Sequence, residues 1–372
     1  MLQKSPERKA IELGDRQACR ALLANGSRSF YAASFLLPAS VRDPAGALYA
    51  FCRIADDIVD EASASPTAIP DLYERIASAY AGTPRDAPYD RAFADVVTAF
   101  AIPRALPEAL IEGFSWDLQR RRYETIDDLF AYATRVAGTV GAMMCLLMHN
   151  RHPETLARAT ELGMAMQLTN IARDVGEDAR AGRIYLPLAW CREEGVDPDR
   201  WLADPVFTPA IGRVIARVLE CAKALYLRAD VGIADLPAGC RPGIRAARNL
   251  YAEIGHEVER RGLDSVSTRA VVAKRRKLAL LARAAVPFGP SASARGFEMV
   301  PAARFLVDAV ALSSFDPALC HAAAGPAWRW WDFRGQALHV IDLFERLERR
   351  EKQSMQRNDP AFVSYSNAAP GA

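Results

Sequence analysis

The chain has 372 residues, 51% hydrophobic and 25% charged, with 47 Lys and Arg against 45 Asp and Glu for a formal net charge of +2. This is the composition of a packed globular protein rather than a disordered one, and the length allows two or three units of roughly 150 residues. A charge so near zero argues against a general nucleic-acid binder, and the excess of Arg (41) over Lys (6), beside 68 Ala, makes any single Arg weak evidence for phosphate binding.

The N-terminus, MLQKSPERKAIELGDR, holds no apolar core or small-residue cleavage site, so no export signal is expected and the expected location is the cytoplasm. Ala, Leu and Arg dominate, β-branched runs are few, and Pro falls between periodic segments. The spacing predicts helices over about 15–23, 29–35, 44–61, 70–81, 90–100, 107–121, 126–150, 152–177, 208–232, 240–261 and 268–286, an all-α fold. The longest uncharged run, 136–150, has 15 residues, fewer than the roughly 18 apolar residues of a spanning helix. Seven Cys without a C-x-x-C pair read as reduced core thiols, neither a disulfide set nor a zinc site. Pro, Ser and Gly concentrate at 63–70, 83–88 and 287–294, and the last divides the chain into 1–290 and an extension, 291–372. In the extension Trp328, Trp330 and Trp331 crowd together, 334–352 reads as a charged amphipathic helix, and 353–372 as a frayed tail.

Two segments repeat one theme. On a helix, Arg53, Asp56 and Asp60 share a face, as do Gln167, Asn170, Asp174 and Asp178, with Arg173 at the edge. Acids four apart repel, and the apolar flanks of both stripes raise that cost. A hard divalent cation offsets it: Mg²⁺ takes oxygen ligands and is typically held by one or two carboxylates plus substrate phosphates. Nearby Arg can then grip diphosphate oxygens in bidentate fashion. The competing reading is a solvated face with intrahelical ion pairs. Its weight falls because the oxygen-rich pattern occurs twice. No His or Cys joins either stripe, so zinc is a poor fit, and a glycosidase carboxylate pair is a poorer one than metal bridging.

These residues resemble the squalene/phytoene synthase family and, within it, the bacterial phytoene-forming branch. The likeness runs through Ser27-Arg28-Ser29-Phe30, Tyr49-Ala50-Phe51-Cys52-Arg53, Ala55-Asp56-Asp57-Ile58-Val59-Asp60, Val136-Ala137-Gly138-Thr139-Val140-Gly141 and Gln167 to Asp178 continuing to Gly182-Arg183-Ile184-Tyr185-Leu186-Pro187. It covers about 15–286 in the family's order and spacing. The resemblance implies an all-α prenyl-synthase bundle, with a helical C-terminal extension. It also implies head-to-head condensation of two geranylgeranyl diphosphates through a cyclopropyl diphosphate to phytoene, in carotenoid biosynthesis.

Carried over position by position, Asp56, Asp60, Asn170, Asp174 and Asp178 match metal ligands for Mg²⁺ (or Mn²⁺). Arg53, Arg173, Tyr49, Gln167 and Arg183 match diphosphate and pocket contacts, Ser27 and Ser29 the N-terminal serines that touch a diphosphate, and Tyr251, Lys274 and Arg275 the C-terminal substrate contacts. Their plainer roles are core aromatics for the tyrosines, helix caps for the serines and a solvated basic face for 274–277. Many relatives carry Tyr-x-Tyr before the Val-Ala-Gly segment, whereas this chain reads Tyr132-Ala133-Thr134. The small residues Ala137, Gly138 and Gly141 either kink their helix, let a prenyl chain pass close to the backbone, or serve close helix packing. No nicotinamide is expected. The expected partners are allylic diphosphates, the membrane surface met peripherally through the extension, and enzymes of the same pathway. The rivals are a C30 synthase using farnesyl diphosphate and a non-catalytic lipid-binding bundle.

Overall fold

A computed structural model describes residues 6–61, 67–284 and 297–313, and among these there are helices and connections but no strand. In chain order the helices are α1 (Pro6–Gly26), α2 (Arg28–Ser34), α3 (Ala39–Glu61), α4 (Ala68–Tyr80), α5 (Pro88–Ala99), α6 (Ala105–Leu118), α7 (Ile126–Ala133), α8 (Thr139–Leu147), α9 (Pro153–Arg180), α10 (Leu188–Glu193), α11 (Pro198–Ala203), α12 (Pro209–Asp235), α13 (Arg241–Arg260), α14 (Lys274–Ala284) and α15 (Arg304–Leu312).

The 28-residue α9 forms the axis of the bundle, packed by α8, α12 and α13. It buries Leu156, Leu162, Met164, Leu168, Ile171 and Val175, which is why no single apolar stripe marks it in the sequence. A second layer sets α1 and α5 against α3. There Phe51 stacks on Phe93, and Arg91 of α5 grips the buried Asp15 of α1 at 2.6 and 2.9 Å.

The helix expected over 126–150 is broken. Between α7 and α8 the residues Thr134–Gly138 form a π-helical turn, and Ala137, Gly138 and Gly141, in it and just beyond it, pack closely on α9, with Ala137 and Gly141 also lining a cavity. A Cβ on Gly163 would lie 2.2 Å from the Ala137 carbonyl oxygen, and one on Gly141 2.1 Å from that of Ala159, so α8 and α9 touch backbone to backbone. The wider stretch Ile126–Leu147 is long and apolar enough to cross a membrane by length and composition, but 56% of its most apolar window is buried inside the bundle. The six described cysteines are free thiols, four of them buried.

Other boundaries also differ from expectation. α1 begins at Pro6, and α3 begins at Ala39 with Pro44 inside it. The stretch 268–273 is a loop rather than a helix, because Asp264 accepts from Val266 N and Ser267 N at 3.2 and 2.8 Å and turns the chain, with β-branched Thr268, Val271 and Val272 following. Residues 297–313 pack on the bundle, burying Leu306, Val307 and Val310 in the same core as Met148 and Leu156, so the bundle continues past position 290. The described residues all belong to one compact unit. The Trp cluster, the amphipathic segment 334–352 and the tail lie outside the described residues.

Candidate active site

The last turns of α3 carry the first acidic stripe. Arg53 donates to Asp56 at 3.3 Å and to Asp57 at 3.2 Å, while Asp60, one turn on, meets Arg183 at 3.5 Å. The second half of α9 carries the other stripe. Arg173 holds Asp174 through Nε at 2.7 Å, and Arg269, on the loop after α13, donates to the same carboxylate at 2.8 Å and lies 3.5 Å from Glu177.

Asp117 of α6 connects the two stripes. It accepts hydrogen bonds from the hydroxyls of Tyr132 and Tyr185 at 2.9 and 2.7 Å, inside a cluster of rings that includes Tyr123. Burial pushes its carboxyl up against the pull of both tyrosines and Arg183. The Asp56 carboxyl is pushed up to about 6 by burial and then by the charge of Asp60, with Asp117 contributing. The Asp178 carboxyl is pushed up to about 7 by burial and then by Asp174, with Asp117 again contributing. Asp117 thus adds its charge to both stripes, and at Asp56 and Asp178 the nearby arginines offset the burial and the like charges only in part.

Beside the stripes opens a cavity of about 320 Å³, walled mainly by apolar side chains. Tyr49, Gln167, Asn170 and Tyr251 line its polar end, and Met148, Thr155, Arg158, Gly232 and Leu236 its far end. Phe30 stacks on Tyr251 and meets Tyr49 edge-on, at 5.1 and 6.4 Å. Tyr251 also hydrogen-bonds Ser27 and lies in the field of Arg173, and burial pushes its hydroxyl up to about 12. Ser27 caps α2 as well, accepting from Phe30 N at 3.3 Å, which is the plainer of the two roles expected for it.

The donor set suits a hard cation. Asn170 Oδ1 is buried without a hydrogen-bond partner, one turn from Asp174, and the Asp56 and Asp178 carboxyls are raised first by burial and then by like charge, a combination that a divalent ion offsets. Yet among the described residues no three His, Cys, Asp or Glu side chains gather into a site of their own. The stripes thus form no metal cage made of protein ligands alone. Arginines hold the carboxylates instead, and further ligands have to come from elsewhere.

Of the expected site residues, Tyr49, Gln167, Asn170 and Tyr251 line the cavity; Arg53 and Asp56 act on the Tyr49 hydroxyl and Ser27, Arg173 and Asp174 on that of Tyr251, while Asp60 pairs with Arg183 and Asp178 lies in the field of Asp174 and Arg183. Ser29 is half-buried on α2. Lys274 and Arg275 are exposed on the first turn of α14 and do not line the cavity. Sequence reading missed Asp117, Tyr185 as its partner, and Arg269. Asp117 carried a usable signal as an acid within the apolar run of α6, whereas Arg269, on a loop, carried none. At Thr134, where many relatives place a tyrosine, the hydroxyl is buried without a partner.

The squalene/phytoene synthase family model matches residues 23–277. The chain is 52% identical over 318 residues to the phytoene synthase of Rhodobacter capsulatus, covering 82% of this chain and 93% of that one. It is 47% identical over 358 residues to the phytoene synthase of Cereibacter sphaeroides, covering 92% and 96%. Among solved structures, a dehydrosqualene synthase in complex with a ligand superposes with a TM-score of 0.67 at 29% identity, over 73% of this chain and 96% of that one.

Proposed function

The chain belongs to the squalene/phytoene synthase family, and on that premise we propose that it condenses two geranylgeranyl diphosphates head to head, through a cyclopropyl diphosphate, to phytoene. The observation that supports this reading is an apolar cavity whose polar end, at Tyr49, Gln167, Asn170 and Tyr251, lies on the two helices that carry the acidic stripes and on α13. Along α9 the lining runs from Asn170 to Thr155, 15 residues or about 22 Å of helix. At about 1.2 Å per bond along an extended chain, a C20 prenyl group spans about 19 Å, which the lined stretch of α9 accommodates.

The residues divide the work. Asp56, Asp60, Asn170, Asp174 and Asp178 hold Mg²⁺ (or Mn²⁺) together with the substrate's own phosphate oxygens, in keeping with the absence of a protein-only cage. Bound there, the metal supplies charge stabilisation to the departing diphosphate. Arg53, Arg173 and Arg183 bind diphosphate oxygens, exchanging their present carboxylate partners for phosphate. Ser27, Tyr49 and Tyr251 orient the headgroup at the mouth. The apolar walls keep water from the allylic cations that form when diphosphate leaves, and Asp117, with Tyr132 and Tyr185, fixes the field beside them. No nicotinamide enters the reaction, because proton loss quenches the final cation. An apolar product favours peripheral contact with the inner membrane face from the cytoplasm, beside other enzymes of carotenoid synthesis. Exposed Phe305 and Leu312 supply apolar contacts for it, and liposome flotation of the full chain tests it.

Competition between labelled C15 and C20 allylic diphosphates, with purified protein and Mg²⁺, tests the substrate. Preferential C40 hydrocarbon supports the reading, and preferential C30 hydrocarbon replaces it with the farnesyl-using alternative. No turnover of either chain leaves the lipid-binding bundle.

A further inference from the structure

At the cavity end farthest from the diphosphate residues lies a buried charge cluster that the chemistry above does not use. Arg158 lines the cavity and is 3% exposed, and its guanidinium donates to Glu161, itself fully buried, at 2.5 Å and to the carbonyl oxygen of Phe297 at 2.6 Å. Glu161 also accepts from Arg228 at 2.7 Å and from Val300 N at 3.3 Å, and Arg228 donates to the carbonyl oxygen of Glu298. Beyond these contacts α15 buries Leu306, Val307 and Val310, and Arg151 reaches Ser313 Oγ at 3.3 Å. The segment 297–313 is thus tied down at both ends, and it lies outside residues 23–277 that the family model matches.

We propose that segment 297–313 is a strap that stiffens the closed end of the prenyl cavity and sets the longest chain accepted, with Arg158 as the positioning residue that links strap to cavity wall. Two observations carry it. Arg158 and Glu161 are out of reach of water, so beside their own ion pair the strap's Phe297 carbonyl and Val300 N–H are the groups that fix them. Opposite Arg158, a Cβ on Gly232 would lie 2.3 Å from the Arg158 Cβ, so α12 leaves the Arg stem no slack on that side. Once its guanidinium is released, the stem yields only along the cavity, and the floor softens.

The proposal rests on the prenyl-binding reading of the cavity, and its test separates the two. In Arg158→Met the stem remains while the bonds to Glu161 and Phe297 are lost. The ratio of kcat/KM for the C25 diphosphate to that for C20 is expected to rise at least tenfold, while the C15 to C20 ratio stays within twofold. Val300→Pro removes one strap donor at a φ of −58° that proline adopts, and is expected to raise the C25 ratio about threefold. If Arg158→Met does not fold, this second variant decides alone. Unchanged ratios in the folded variants, or equal rises for C15 and C25, overturn the strap. A wild type that prefers C15 overturns the C20 assignment instead, and the strap is then read from the C20 to C15 ratio.

Discussion

Arg269 donates to the carboxylate of Asp174 at 2.8 and 3.4 Å from a position 95 residues downstream, placing one of the chain's own cations on a carboxylate of the second acidic stripe. Arg173 grips the same group from the adjacent position. In the protein without substrate, arginines and a divalent ion therefore compete for the same oxygens, and diphosphate resolves the competition by giving the guanidinium groups a second anion to hold.

Freeing Asp174 from Arg269 should favour the metal. The Arg269 side chain is 44% exposed, so the pair contributes about 0.2–1 kcal/mol. In Arg269→Gln, Mn²⁺ binding followed by electron paramagnetic resonance without substrate is expected to tighten about threefold. Weaker or equal binding contradicts the competition.

Stability of the metal-free protein should depend on pH through Asp178. Its carboxyl is raised to about 7 in the fold, whereas an unfolded Asp titrates near 4. A raised carboxyl favours the fold fully below about pH 4, and that contribution is lost as pH rises through 7. Asp178→Asn removes the burden, so the variant should be more stable than wild type at pH 8 by about 1–3 kcal/mol, and unfold at a higher temperature, with the gap closing towards pH 5. Thermal melts in a chelator across that range check it, and a gap independent of pH contradicts it.

The bond from Tyr185 to Asp117, at 2.7 Å, is a hydrogen bond to a buried carboxyl. Tyr185→Phe should cost about 1–3 kcal/mol in urea unfolding and lower turnover at saturating substrate. Unaltered stability and turnover together remove Asp117 from the account.

Two glycines should answer alanine in opposite directions. Gly163→Ala drives a Cβ into the Ala137 carbonyl and should lower the melting temperature by several degrees. Gly46→Ala, on α3 with nothing within 4 Å, should stabilise by about 0.5–1 kcal/mol. Equal shifts contradict the close α8 to α9 packing.

The sequence carried those features that are local in the chain. Asp56 with Asp60, and Asn170, Asp174 and Asp178, announce themselves because helical spacing puts each set on one face, and nothing distant has to be known. Asp117, Tyr185 and Arg269 act through contacts across 15 to 95 residues, which no periodicity encodes. The π turn at 134–138 lies where Gly138 comes close to Thr160 of α9, a contact between distant positions, and at 268–273 the Asp264 side chain turns a chain whose pattern is helix-like. The strap was hidden for the same reason: its anchors are backbone groups of Phe297, Glu298 and Val300, whose side chains do not reveal them.

The claim that two acidic stripes drive a metal-assisted head-to-head condensation is tested most directly by one product assay. Labelled C20 diphosphate and Mg²⁺, without a nicotinamide, are given to wild type and to folded Asp56→Asn and Asp174→Asn. Wild type should yield a C40 hydrocarbon, and each variant should lose on the order of 10²-fold or more in rate. Full C40 formation by either variant would contradict the account.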